Sequence, residues 1–321
     1  MRMGGPFARR SPRSAAGPGR AQASVRVARQ QRARRARLPA LLTALPLPLL
    51  RMSSPPASAA RLRVGVFDSG VGGLSVLRAI HETPPQATLI YAADSAHAPY
   101  GERSDDDILR RSEAMAGFLR DAGADVLVVA CNTATAAAIE PLRLRHAGWP
   151  IVGVEPGIKP AIAASRSGRI GVMATTGTLR STRYQRLLQA HGTEVTVIAQ
   201  PCPGLAHAIE QGRMDDPALL ELIERCCAPL REQQVDTVVL GCTHYPFVAE
   251  HIQAALGPQV RLLDTAHAVA RQVARVAQAV QPHAQAAEAL PQLWTNGDPD
   301  QLQRLARGRL GFPFQVRRLP A

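Results

Sequence analysis

The chain has 321 residues, enough for two domains of ordinary size, and a formal net charge of +13. The charge is concentrated at one end, because residues 1–60 contain twelve arginines and no Asp, Glu or Lys. Of the 38 basic residues in the chain, 26 remain beyond that segment, against 25 acidic ones. A nearly neutral remainder argues against a nucleic-acid-binding fold, whose surface is usually basic.

The cysteine pattern excludes two further classes of protein. Five cysteines are few and odd in number, which argues against a disulfide framework, and no CxxC or Cys/His spacing would hold zinc. We therefore expect no metal, free thiols and a cytoplasmic location. The cysteines are Cys131, Cys202, Cys226, Cys227 and Cys242.

The arginine-rich segment, residues 1–60, is predicted to be a disordered arm, since it combines basic charge with Pro, Gly, Ala and Ser. Three alternatives stay open. Residues 32–60 resemble an export signal, with arginines, an apolar run and small residues, although the run is short and contains three prolines. Translation from Met52 would remove nearly all the arginines. A nucleic-acid-binding arm would instead show salt-sensitive binding that is lost in a chain begun at Met52.

The folded part begins at Arg61 with a predicted strand, residues 62–67, followed by a glycine loop, residues 68–73, and a helix. The loop lacks the GxGxxG spacing of a dinucleotide site, and no acidic residue follows at the expected distance. Asp68 either caps the helix or takes part in proton chemistry.

A second strand, residues 88–92, leads to a loop, residues 94–104, whose polar groups are suited to orienting a small ligand. The next helix is predicted over 105–121, capped by Ser104 and with three aspartates in its first turn.

The apolar run 126–130 ends at Cys131 and is followed by an alanine-rich helix. The same pattern returns at 237–241 with Cys242. A lone cysteine in this position is more often a small core residue than a nucleophile. Two in equivalent places favour chemistry, and we expect helix amides to lower the pKa of both thiols.

The segment 63–70 also resembles 169–177, and the distances to the following cysteines are similar, 66 residues from Gly65 to Cys131 and 71 from Gly171 to Cys242. The chain is therefore predicted to contain two diverged copies of one α/β unit. The expected fold is two similar doubly wound α/β domains facing each other across a cleft. The predicted boundaries are 61–153 with 267–321 for the first domain and 154–266 for the second.

Parallel strands present ligands at their C-terminal ends, so Cys131 and Cys242 should lie on opposite walls of the cleft. One thiol would remove a proton from a carbon and the other would add one on the opposite face, which inverts that carbon. We expect Asp68 to assist Cys131, and His244 and Glu210 to assist Cys242.

At these residues the chain resembles the cofactor-independent glutamate racemases of bacterial cell-wall synthesis. The resemblance covers nearly everything from Arg61 onward. It implies that Cys131 and Cys242 are the acid/base residues, that no cofactor is used and that D-glutamate for peptidoglycan is the product. It also implies the substrate-binding residues Asp68, Ser69, Tyr100, Gly101, Asn132, Thr133, Thr243 and His244. The matching segments are 65–77, 91–104, 130–138, 153–161, 171–178 and 241–247.

Aspartate racemases and related decarboxylases are the nearest alternatives. A decarboxylase of this kind needs only one thiol as proton donor, so the presence of both cysteines favours racemisation. The choice of glutamate over aspartate rests on the resemblance alone. The expected partner is a small substrate; a membrane or nucleic-acid partner is not expected, and a homodimer is left open.

Overall fold

The computed structural model describes residues 61–83, 87–191, 195–282 and 290–320. The predicted arm, residues 1–60, lies outside the described residues, and so does the segment that resembles an export signal. The described residues form one compact body.

Strands and helices alternate along most of the described chain. The strands are β1 (Arg63–Asp68), β2 (Thr88–Ala93), β3 (Val126–Val129), β4 (Ile151–Gly153), β5 (Arg169–Ala174), β6 (Thr196–Pro201), β7 (Thr237–Leu240), β8 (Arg261–Leu263), β9 (Gln292–Thr295) and β10 (Gln315–Arg318). The helices are α1 (Leu74–Glu82), α2 (Asp105–Asp121), α3 (Asn132–Arg145), α4 (Ile158–Ala164), α5 (Thr176–Arg180), α6 (Thr182–His191), α7 (Leu205–Glu210), α8 (Pro217–Glu232), α9 (Ala249–Leu256), α10 (Ala266–Ala277) and α11 (Pro299–Leu310).

The strands form two sheets of the same inner topology. The first sheet has the order β10-β9-β2-β1-β3-β4 and the second has the order β6-β5-β7-β8. All strand pairs in both sheets are parallel. In each unit the second strand therefore lies beside the first, and the third and fourth follow on its other side. This shared order confirms the predicted α/β fold of two similar units.

Helices cover both faces of the first sheet. The inner strands β1, β2 and β3 are buried almost throughout, which is why they read as continuous apolar runs rather than alternating ones. One hydrophobic cluster joins this sheet to α1, α10 and α11, and another joins it to α2 and α3. Two further clusters pack α7, α8 and α9 on one face of the second sheet and α4 and α6 on the other.

The helix α10 returns the chain to the first sheet. Its buried residues Ala266, Val269, Ala270 and Val273 lie in the cluster that contains strand β1. This packing supports the predicted division of the chain near residue 266. The exact domain boundaries stay a prediction.

No helix among the described residues has the length and apolar character needed to cross a bilayer.

Candidate active site

The two sheets turn their C-terminal strand ends toward each other. In the first sheet Asp68 ends β1, and Cys131 follows the neighbouring strand β3. In the second, Thr175 follows β5 and Cys242 follows β7. The hydrogen bonds that join the two edges include Thr243 Oγ1 to Asp68 Oδ2 (2.9 Å), Val71 N to Glu210 Oε1 (2.7 Å), and Thr133 Oγ1 to Thr175 Oγ1 (2.9 Å).

The glycine loop of the first unit packs directly against the second unit. A Cβ on Gly70 would lie 1.7 Å from Glu210 Oε1, and one on Gly72 would lie 2.4 Å from Thr243 Oγ1. Real Cβ atoms do not approach other atoms this closely, so a side chain at either position would displace Glu210 or Thr243. The glycines predicted at the strand–helix turn thus serve close contact between the units.

Cys131 is the residue before α3, and its side chain caps that helix. The amide of Ala134 donates to Cys131 Sγ at 3.4 Å, and the Cys131 thiol donates to Ser69 Oγ at 3.7 Å. Burial raises the pKa of the Cys131 thiol to about 12, and the nearby Asp68 and Cys242 charges add to the effect. The helix amide lowers the pKa as expected, but burial outweighs it. The predicted depressed pKa at this thiol is therefore wrong, and Cys131 holds its proton at neutral pH.

Cys242 has a different surrounding, although its strand is similar. It is followed by a 3₁₀ turn, Tyr245–Val248, rather than directly by an α-helix. Its Sγ lies 3.6 Å from His244 Nδ1, and His244 Nε2 lies 2.5 Å from Glu210 Oε1. These three buried side chains form a continuous chain of proton donors and acceptors.

The imidazole of His244 is held in a state that favours a proton. Burial alone would lower the pKa of His244, but the hydrogen bonds to Cys242 and Glu210, and the charges on those groups, raise it well above its usual value. A proton can therefore sit either on Cys242 Sγ, donated to a neutral Nδ1, or on Nδ1, donated to a thiolate. Both arrangements fit the same heavy-atom positions.

Asp68 connects the surroundings of the two thiols. Its Oδ1 accepts from Gly70 N at 2.9 Å and from Ser69 Oγ at 3.4 Å, and its Oδ2 accepts from Thr243 Oγ1 at 2.9 Å. Burial raises the pKa of Asp68 above its usual value, although the nearby His244 and these hydrogen bonds act in the opposite direction. The carboxyl thus touches the serine that partners Cys131 and the threonine that follows Cys242.

Hydroxyl groups from both units meet beside Cys131. Thr175 Oγ1 lies 2.9 Å from Thr133 Oγ1 and 3.0 Å from Thr178 Oγ1. These buried hydroxyls can rotate to donate to an anionic ligand. The neighbouring Asn132 Oδ1 is buried and has no hydrogen-bond partner among the described residues.

Tyr100 and Gly101 approach the site from the loop that follows β2. Tyr100 is buried in the same hydrophobic cluster as Cys131. Its hydroxyl donates to Asp94 Oδ2 at 2.5 Å, within the same loop. A Cβ on Gly101 would lie 2.9 Å from the Thr175 side chain, so this loop also touches the second unit.

Comparison with known proteins agrees with this geometry. Residues 72–273 match the family model of the Asp/Glu/Hydantoin racemases. The chain is 48% identical over 256 residues to the glutamate racemase of Pseudomonas aeruginosa, covering 80% of this chain and 97% of that protein. The chain belongs to the glutamate racemase family.

Solved glutamate racemases share the fold. The Escherichia coli enzyme, solved in complex with L-glutamate and the activator UDP-MurNAc-Ala, superposes with a TM-score of 0.73 at 33% identity, over 81% of this chain and 98% of that one. A glutamate racemase isoform of Bacillus anthracis gives a TM-score of 0.72 at 31% identity, over 82% and 98% of the two chains.

The structure brings the sequence-predicted residues of this racemase family member to one place between the sheets. One hydrogen-bonded group surrounds the first thiol and contains Asp68, Ser69, Cys131 and Thr243. The second thiol belongs to the chain Cys242–His244–Glu210 described above. The resemblance placed Thr175 and Thr178 in a matched segment, 171–178, but not among the substrate-binding residues, and the sequence placed Asp94 only within the loop predicted to orient a ligand. The sequence gave no role to Asn296, which contacts that loop at Ala96 N.

A cavity of about 310 Å³ lies next to the site, bordered by Asn132, Thr178 and Tyr184. The thiols are not among its lining residues, so the cavity is not the space between them. Among the described residues, no cluster of three or more His, Cys, Asp or Glu side chains is arranged to hold a metal ion.

Proposed function

We propose that this chain interconverts L-glutamate and D-glutamate by proton transfer between Cys131 and Cys242. The observation that carries the proposal is the pair of buried thiols on facing strand ends, with Cys242 close enough to Cys131 to contribute to the raised pKa of that thiol. Membership of the glutamate racemase family supports glutamate as the substrate.

The reaction balances with the two thiols alone. A thiolate takes the α-proton, so the Cα–H bond breaks, an S–H bond forms and the electron pair is delocalised onto the α-carboxylate. The thiol on the opposite face then gives its proton to the same carbon, and the new Cα–H bond has the opposite configuration. Hydrogen-bond donors and removal of water must stabilise the intermediate charge, because an amino-acid α-proton is very weakly acidic.

The resting proton positions suit this scheme. Cys131 holds its proton, since burial raises the pKa of its thiol to about 12, and it is ready to act as the acid. Cys242 can pass its proton to His244, which Glu210 supports through Nε2, and is ready to act as the base. In the reverse direction the two roles are exchanged.

The polar groups around the thiols account for substrate binding. Asn132 Oδ1 is a buried acceptor that suits the substrate ammonium group. The hydroxyls of Thr133, Thr175 and Thr178 suit a carboxylate. The Ser69 hydroxyl lies 3.7 Å from Cys131 Sγ, and Thr243 directly follows Cys242. These two hydroxyls suit the other carboxylate, with Tyr100 and Gly101 as the adjoining wall.

The cellular assignment belongs to the same proposal. Supply of D-glutamate to peptidoglycan synthesis is the known role of glutamate racemases. A cytoplasmic location is supported by the five free cysteines of the described chain. A homodimer is a further expectation that oligomer analysis in solution would test.

The test is a racemisation assay with the full-length chain and no added cofactor. With L-glutamate or D-glutamate as the only substrate, optical rotation should decay to zero from either side. L-Aspartate is the matched control and should lose rotation far more slowly. Unchanged rotation with both glutamate enantiomers would refute the proposal, and decay with aspartate alone would move the assignment to the aspartate racemases.

A further inference from the structure

The loop from Asp94 to Ser104 is anchored at a buried carboxylate that the proposed proton transfer does not use. Asp94 follows β2, and its side chain is only 1% exposed. Tyr100 is buried, and its hydroxyl donates to this carboxylate at 2.5 Å. A buried carboxylate is retained only where donors satisfy it.

Four donors surround Asp94. Tyr100 Oη and Arg111 Nη1 face Oδ2, the latter at 3.5 Å. His97 Nδ1 lies 2.8 Å from Oδ1, and Asn296 Nδ2 also donates to Oδ1. The donors come from the loop itself, from α2 and from the segment after β9, so three parts of the chain are joined at one side chain.

Asn296 reaches the loop from a distant part of the sequence. It follows β9, which pairs with β2, so the ends of these two strands lie side by side. Besides its bond to Asp94, Asn296 Oδ1 accepts from Ala96 N at 3.0 Å. The next residue, Gly297, passes so close that an added Cβ would lie 2.8 Å from Ser95 Cβ. The segment after β9 therefore clamps the start of the loop.

The clamped loop leads directly to the proposed reaction site. Tyr100 shares a hydrophobic cluster with Cys131. Gly101 packs against the side chain of Thr175, which belongs to the second α/β unit. We propose that Asp94 and Asn296 are positioning residues for racemisation, which hold Tyr100 and Gly101 against Cys131 and Thr175. This inference rests on the proposed function, because it assigns the loop a task in that reaction.

The first test is kinetic. Asn296→Ala removes both bonds of the clamp at a partly exposed position, and KM for each glutamate enantiomer should rise about tenfold, with a smaller change in kcat. Gln303→Ala, on α11 of the same segment, is the matched control and should leave both constants unchanged. Asp94→Asn should have a larger effect, because its amide would face the Asn296 and Arg111 donors. That effect should shrink in a Tyr100→Phe background if Asp94 acts through the tyrosine hydroxyl.

The second test does not depend on activity. Amide hydrogen exchange of the peptide covering residues 95–103 should become faster in Asn296→Ala and stay unchanged in Gln303→Ala. Unchanged exchange would overturn the clamp, and faster exchange with unchanged KM and kcat would overturn its role in the reaction. If Asn296→Ala exchanges faster as predicted but the wild-type chain does not racemise glutamate, the clamp is supported. The proposed function, and with it the positioning role, would then be refuted.

Discussion

Cys131 and Cys242 follow equivalent strands, but the structure places them in different electrostatic surroundings. Cys131 is enclosed next to Asp68 and keeps its proton, since burial raises the pKa of its thiol to about 12. Cys242 instead contacts an imidazole that Glu210 supports from the far side. In the proposed two-base reaction, this difference in surroundings would let Cys131 act first as the acid and Cys242 as the base.

Replacing either thiol should stop turnover. Cys131→Ala and Cys242→Ala each delete one proton carrier, so racemisation should fall by at least about a thousandfold, near the upper range for loss of one acid/base group. Polarimetry with both glutamate enantiomers measures the loss. Cys227→Ala removes a buried thiol of the second core and should keep normal activity. Near-normal turnover in either site variant would rule out the two-base scheme.

The raised pKa of Cys131 predicts an unusual pH dependence of alkylation. Iodoacetamide reacts with the thiolate, so the labelling rate of the Cys131 peptide should rise about tenfold per pH unit between pH 7 and 10 without levelling off. Mass spectrometry of that peptide measures the rate, with circular dichroism to verify that the chain stays folded. A plateau near pH 9 or below would mean that the thiol has an ordinary pKa.

The sequence identified both thiols but not the balance of effects on them. The helix amide at Cys131 was predictable from the strand–helix pattern, and the bond from Ala134 is present. Burial and the proximity of Asp68 and Cys242 arise from packing between segments that are far apart in the sequence, which a local pattern does not encode. The same reason hides Asn296, whose partner Asp94 is about two hundred residues away.

At the scale of elements, the glycine loop 68–73 is the part most tightly constrained by the second unit. Gly72→Ala would place a Cβ 2.4 Å from Thr243 Oγ1 and 2.6 Å from His244 Nδ1, so those side chains must move. Moving a reacting group by about 1 Å can lower the rate about a hundredfold. We therefore expect Gly72→Ala to lower kcat/KM by about that factor.

A matched glycine lies in the middle of α2. An added Cβ at Gly117 meets nothing within 4 Å, so Gly117→Ala should leave activity unchanged and stabilise the chain by about 0.5–1 kcal/mol through helix propensity. Racemisation assays and thermal unfolding of the two variants test the contrast. Equal activity of Gly72→Ala and Gly117→Ala would contradict the tight contact between the loop and the second unit.

Most long elements were predictable because they carry strong local signals. The helix over 105–121 has the predicted bounds, and its Ser104 cap accepts from Asp107 N at 3.3 Å. The strand predicted at 62–67 forms one residue later, at Arg63–Asp68. The short helix α4 was not predicted, because Pro160 lies within its first turn. A helix was expected directly after Cys242, but a proline-containing 3₁₀ turn comes first and α9 begins only at Ala249.

At the scale of the whole molecule, function depends on two similar halves presenting the same strand edge to each other. The shared order of the inner strands in the two sheets places one thiol on each side. Hydrogen bonds through Asp68, Glu210 and Thr133 then hold the edges together. Neither half alone contains both Cys131 and Cys242, so the proposed two-base reaction requires the cleft between the halves.

The most direct test of that claim is the fate of the α-proton in deuterated water. If two separate thiols act on opposite faces, D-glutamate formed from L-glutamate in the first few per cent of reaction should carry deuterium at Cα, while unreacted L-glutamate keeps its proton. Mass spectrometry of the separated enantiomers measures both. Product that retains the original α-proton would show that one group both removes and returns it, and would contradict the two-thiol account.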